Sequence, residues 1–135
     1  MVGTQGGIRV LVVDDHSRVR RAVLSLLDEQ EGIAVVGEAR DGIEAEERAA
    51  ALDPDVVLMD VSMPRRNGIE ATRRIKGRHP ELVVIGFSVH EEKAVADAMR
   101  DAGATAFLVK GGDVEALVAA IRGPHEVTDR TARDS

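Results

Sequence analysis

Four short apolar runs, each closed by a polar side chain, constrain this chain more than anything else in it. Ile8-Arg9-Val10-Leu11-Val12-Val13 ends on Asp14 and Asp15, and Val56-Val57-Leu58-Met59 ends on Asp60. Leu82-Val83-Val84-Ile85-Gly86-Phe87 ends on Ser88, and Ala104-Thr105-Ala106-Phe107-Leu108-Val109 ends on Lys110. The runs do not alternate apolar with polar residues, as expected of strands covered on both faces. Acids directly after such runs are poor core residues. In a parallel sheet they gather at the carboxyl edge, where α/β folds build their sites. Three acids converging there suit a divalent cation, and a lysine beside them answers an anion.

The segments between the runs read as helices. Ser17 is placed to cap a helix reaching about Glu29, with Val19, Ala22, Val23, Leu26 and Leu27 on one stripe and Arg18, Arg20 and Arg21 facing away. Ile33-Ala34-Val35-Val36-Gly37 is a further short strand. Asp41-Gly42 makes a turn into a helix ending near Leu52, and Asp53-Pro54-Asp55 breaks it. Pro64 and Gly68 mark a loop after Asp60. Helices follow from about Ile69 to Arg78, from about Glu91 to Ala102 (closed by Gly103), and from about Asp113 to Ile121. Five β/α units with short connections predict a doubly wound α/β domain over 8–122, its helices on both faces of a parallel sheet. Residues 1–7 read as a disordered N-terminus. Residues 123–135, almost without apolar content, read as a polar tail or linker.

Composition excludes several classes. There is no Cys, so neither a disulfide frame nor a thiolate metal site is available. The net charge of −6 argues against direct nucleic-acid binding by this chain, and two Phe without Trp or Tyr give no stacking platform for bases. No apolar stretch is long enough to cross a bilayer, and the N-terminus lacks a secretory pattern, so a cytoplasmic location and no membrane partner are expected.

Two adjacent acids after one strand and a third after another suggest Mg²⁺, which takes oxygen ligands and retains waters. Asp15 and Asp60 are the direct ligands on this reading, and Asp14 acts through water or by fixing Asp15. The plainer alternative makes Asp14 an N-cap acid for the first helix. A carboxylate beside the cation can attack a phosphoryl group. Lys110 balances a further anionic oxygen and the Ser88 hydroxyl donates to another.

These pieces, taken in order, resemble the receiver domain of two-component response regulators over roughly Ile8 to Arg122. The matching residues are Val12-Val13-Asp14-Asp15-His16, Pro54 to Pro64 around Asp60, Gly68, Ser88, Ala102-Gly103-Ala104 and Phe107-Leu108-Val109-Lys110. The resemblance implies a flavodoxin-like five-stranded sheet in the order 2-1-3-4-5, with Asp60 as phosphoacceptor. It implies Mg²⁺ (or Mn²⁺) held by Asp15, Asp60 and the backbone carbonyl of Ser62, with Asp14 supporting, and a sensor histidine kinase as phosphodonor. It makes Ser88, Phe107 and Lys110 the switch residues. Phosphorylation then draws Ser88 toward the phosphate, Phe107 swings inward, and the face of the fourth helix, fifth strand and fifth helix changes shape.

His90, two residues after Ser88, is either a residue of the phosphate rim or a solvated loop histidine. With Gly111 after the lysine it looks like receivers of the NarL/FixJ type. Those usually precede a helix-turn-helix DNA-binding domain, which these 135 residues do not contain. Phosphorylation-linked homodimerisation and transcription regulation are the expected outputs. His16 reads as a loop residue at the site's edge. Three competing readings are an aspartyl phosphatase, a flavodoxin-like nucleotide or flavin module, and a receiver-like domain that never binds metal. The first lacks an acid at position 62, where Ser62 stands; the second lacks aromatics; the third sits poorly with the full acid set.

Overall fold

The structure, a computed structural model, describes residues 7–63, 65–89 and 91–123. Expectations about Pro64 and His90, and about the segments 1–6 and 124–135, lie outside the described residues.

The elements alternate as the apolar runs predict: β1 (Ile8–Val13), α1 (Ser17–Asp28), β2 (Ile33–Ala39), α2 (Gly42–Leu52), β3 (Val56–Met59), α3 (Gly68–Arg78), β4 (Val83–Ser88), α4 (Lys93–Ala102) and β5 (Ala106–Val109). A last helix, α5, covers 114–123. All strand pairs are parallel and the sheet order is β2-β1-β3-β4-β5, so the flavodoxin-like arrangement is present. Right-handed crossovers in both directions from β1 distribute the helices over both faces.

The period-two geometry of strands sorts the core into two clusters. Leu11, Val13, Val57, Met59 and Val84 point to the face covered by α2, α3 and α4, where Ala45, Ala49, Ile75 and Met99 meet them. Val10, Val12, Val56, Leu58 and Ile85 point to the other, where Val23 and Leu27 of α1 and Leu117 and Ile121 of α5 close the layer. Each fully buried aliphatic side chain contributes about 1.5–3 kcal/mol. Among the described residues no helix is long and apolar enough to cross a membrane.

Local chemistry sets the helix ends, with one difference from the sequence reading. Asp41 and Asn67 cap α2 and α3, their side chains accepting from the Glu44 and Glu70 amides. Ser17 does not cap α1. It is the first helical residue, and the cap position belongs to His16, which makes no side-chain cap. The Arg20 amide, the donor a Ser17 cap would need, is taken by the His16 carbonyl at 2.9 Å, so the helix starts one residue earlier. Gly103 ends α4 at φ +121°, donating to the carbonyls of Arg100 and Met99.

Candidate functional site

The strand ladder continues for one residue past three strand ends, and this brings the polar residues together. The Asp14 amide donates to the Ala39 carbonyl at 3.0 Å, the Asp60 amide to Val13 at 3.0 Å, and the Lys110 amide to Ser88 at 2.8 Å. Asp14 and Asp60 therefore stand side by side at the carboxyl edge, and Lys110 reaches them from the far side of Ser88. Its Nζ lies 2.6 Å from Asp14 Oδ2 and 3.3 Å from Asp60 Oδ1. Its stem runs past Phe87, whose ring centre is 5.9 Å from the ammonium. Asp14, Asp60 and Ser88 are buried, Asp15 is partly exposed, and Ser62 is exposed.

One ligand atom from each of Asp14, Asp15, His16 and Asp60 lies within 4.8 Å of the others. Asp15 Oδ1 and Asp60 Oδ2 are buried and accept no hydrogen bond among the described residues. An unsatisfied buried oxygen costs about 1–3 kcal/mol, so two side by side point to a group that completes them. When all three carboxylates are ionised, one ammonium leaves two negative charges uncompensated. A hard divalent cation matches that charge and those oxygen donors.

The electrostatics are strongest at Asp60. Burial pushes its carboxyl up from 3.8 to about 6. The Lys110 ammonium opposes the rise, and the negative charges of Asp14 and Asp15 add to it. A nearby cation would therefore favour the ionised Asp60 carboxylate.

The structure assembles Asp14, Asp15, Asp60, Ser88 and Lys110 at one edge, as the sequence implies. It also recruits residues whose role the sequence left unread. Arg20, read only as facing away from the apolar stripe of α1, reaches the edge of the site. Its Nη1 donates to the Asp14 carbonyl at 2.6 Å and its Nε to Glu38 Oε1 at 2.7 Å, pinning the β1–α1 turn to β2. His16 is exposed, but its Nδ1 sits 3.1 Å from Asp15 Oδ1, in ion-pair range. Only the position of Arg20, one turn into the helix after the acids, hinted at this.

Phe107 is half-buried against the α2–α3–α4 side of the core. Its ring lies over Gly86, where an added Cβ would come within 2.7 Å of Phe107 Cδ1 and 3.1 Å of Met99 Cε. The absence of a side chain at Gly86 makes the room for this ring. Gly68 does similar service for Asp60: a Cβ there would stand 2.0 Å from the Asp60 carbonyl oxygen. The Gly68 amide donates to Val61 at 2.7 Å, closing the connection after Asp60.

Residues 10–122 match the family described as Response regulator receiver domain. The chain is 44% identical over 115 residues to response regulator GacA of Pseudomonas viridiflava, covering 85% of this chain and 54% of that protein. It is 37% identical over 114 residues to the nitrate/nitrite response regulator protein NarP of Escherichia coli (strain K12), covering 84% and 53%. It thus spans about half the length of the curated relatives it matches. A crystal structure of a two-component response regulator of the LuxR family from Aurantimonas sp. SI85-9A1 superposes with a TM-score of 0.83 at 37% identity, covering 87% of this chain and 84% of that one. An acidic cluster with a lysine at the edge of a 2-1-3-4-5 sheet and a family match over most of the chain lead to the same place: this chain belongs to the response regulator receiver domain family, among relatives of the NarL/FixJ type.

Proposed function

We propose that the domain is a phosphorylation-controlled switch in which Asp60 accepts a phosphoryl group from a phosphohistidine of a sensor histidine kinase, or from a small acyl phosphate. One observation carries this reading: Asp60 Oδ2 is buried without a hydrogen bond, beside two further acids and 3.3 Å (through Oδ1) from Lys110. Asp15, Asp60 and the Ser62 carbonyl would hold Mg²⁺ (or Mn²⁺), with Asp14 supporting. When bound, the cation offsets the repulsion between the carboxylate and the incoming phosphoryl oxygens.

In the transfer step an Asp60 carboxylate oxygen bonds to phosphorus as the phosphorus–nitrogen bond of the donor breaks. The electron pair leaves with the imidazole, which takes up a proton. Lys110 moves from pairing with Asp14 and Asp60 toward a phosphoryl oxygen, and the Ser88 hydroxyl donates to another. Hydrolysis reverses the charge change: water attacks phosphorus, the acyl–oxygen link to phosphorus breaks, and Asp60 returns as a carboxylate with release of inorganic phosphate. The domain acts on itself only, as a signalling protein rather than an enzyme with external turnover.

The switch runs through Ser88 and Phe107 to the face of α4, β5 and α5. Gly86 leaves room for the Phe107 ring, and movement of Ser88 toward the phosphate biases the ring inward. The output is phosphorylation-linked homodimerisation and transcription regulation in the cytoplasm. Any DNA contact is made through a helix-turn-helix domain outside these residues, with 123–135 as a polar tail or linker.

Incubation with a small acyl phosphate and Mg²⁺ tests the reading by intact mass. The chain is expected to gain one phosphoryl group, and Asp60→Asn none. A mutant that gains the same mass as wild type removes Asp60 from the role.

A further inference from the structure

The connection between β3 and α3 carries Ser62, and it is held from outside by an ion pair that the phosphoryl chemistry does not use. Arg65 adopts φ +66°, one of two non-glycine residues with positive φ among those described. That conformation is costly for a side chain with a Cβ, so something must hold it. Its Nε and Nη2 lie 2.9 and 2.7 Å from Asp41 Oδ2. Asp41 is buried, and its other oxygen accepts from the Glu44 amide at 2.8 Å as the cap of α2. Burial works to raise its pKa, yet the Glu44 amide and the Arg65 guanidinium hold the carboxyl below its ordinary value.

Adjacent contacts reinforce the same join. The Gly42 amide donates to the Arg66 carbonyl at 3.0 Å. A Cβ on Gly42 would stand 2.3 Å from that oxygen, so the start of α2 lies directly on the backbone of the connection. Arg66 in turn pairs with Glu46 on α2. On the β1 side, Ala39, two residues before Asp41, accepts the Asp14 amide. The β1 and β2 ends are thus joined at Ala39, and Asp41, two residues on, ties the start of α2 to the β3–α3 connection.

We propose that Asp41 and Arg65 are positioning residues for the divalent cation: their ion pair fixes the backbone that presents the Ser62 carbonyl next to Asp15 and Asp60. The inference rests on the magnesium reading above. It makes a prediction opposite to simple charge effects. Removing a cation near an acidic cluster makes the local field more negative, and a field effect alone tightens Mg²⁺ binding. Loss of the clamp frees the carbonyl and weakens it.

Calorimetric titration of the full chain with MgCl₂, without phosphodonor, separates the two. Arg65→Gly suits the positive φ, so the fold is expected to keep its urea midpoint. Its Mg²⁺ dissociation constant is expected to rise about fivefold, the upper range for a half-exposed ion pair. Asp41→Asn retains the helix cap and is expected to weaken binding too, a direction the field effect shares, so the Arg65 variants decide between the two. Arg65→Lys, which keeps the charge, is expected to recover part of the loss. Should Arg65→Gly fail to fold, Arg65→Gln carries the same comparison. Binding by the Arg65 variant as tight as wild type, or tighter, overturns the clamp alone. A wild-type chain that binds no Mg²⁺, like an Asp15→Ala control, overturns the magnesium reading and the clamp with it.

Discussion

Replacing Asp60 by Asn isolates the cost of burying the phosphoacceptor candidate. Burial, net of Lys110 and the two neighbouring acids, raises its pKa from 3.8 to about 6. At about 1.4 kcal/mol per pH unit, that difference corresponds to roughly 3 kcal/mol. Because the folded-state value is the higher one, protonation favours the fold. The contribution is fully present below about pH 4 and is lost as pH rises through about 6. Around neutral pH, without metal, the ionised carboxylate therefore gives the native state none of it. Roughly 1 kcal/mol of the total is lost between about pH 5 and pH 7.5. The test is urea unfolding of wild type and Asp60→Asn at both pH values, followed by far-ultraviolet circular dichroism because the chain has no Trp or Tyr. The mutant is expected to gain on wild type by roughly 1 kcal/mol on going from the lower to the higher pH. Titrating groups remote from Asp60 are common to both proteins and cancel in the difference. Addition of Mg²⁺ is expected to stabilise the wild type at the higher pH, in proportion to RT ln(1 + [Mg²⁺]/Kd), and to flatten its profile. A stability difference between the two proteins that does not change with pH would refute the claim that burial and neighbouring acids strain this carboxyl.

Three further outcomes follow from the geometry. Gly68→Ala places a Cβ 2.0 Å from the Asp60 carbonyl oxygen and 2.9 Å from Val61 Cα. These are backbone atoms that cannot swing aside, so a loss of about 3 kcal/mol or more is expected in urea, with loss of the phosphoryl mass gain. Gly86→Ala meets the Phe107 ring at 2.7 Å, which can rotate away. A smaller cost of about 1–3 kcal/mol is expected, with phosphorylation retained and the Met99 methyl resonance shifted as the ring leaves; an unmoved resonance would show that the ring does not depend on Gly86. Lys110→Met deprives Asp14 and Asp60 of their shared cation. Breaking such a buried pair is expected to cost about 3 kcal/mol near neutral pH, and millimolar Mg²⁺ is expected to recover part of it, as read from the thermal midpoint with and without the ion.

Asp14, Asp15, Asp60, Ser88 and Lys110 were legible in the sequence because each follows directly on an apolar run, and strand geometry carries the polar residue to the sheet edge. The same runs, free of alternation, implied strands buried on both faces, and the intervening helical stripes implied the doubly wound order that the resemblance named. Ser17 was misjudged as a cap because capping is decided by where the first helical bond falls, and the Arg20 amide donates to the His16 carbonyl. Arg20 looked like a solvated arginine on a polar helix face, since helical spacing cannot show that the end of β2 and the Asp14 carbonyl lie within its reach.

What the chain's sequence determined alone is therefore local: where the strands run, which face of each helix is apolar, and which polar residue closes each run. These follow from side-chain periodicity over a few residues. Tertiary structure decided the rest. The raised pKa of Asp60, the clamp from Asp41 to Arg65 across 24 positions, the turn of Arg20 back to Asp14, and the seat of Phe107 over Gly86 all depend on segments distant in the chain. Desolvation and charge pairing act through space, and only the folded sheet sets those distances.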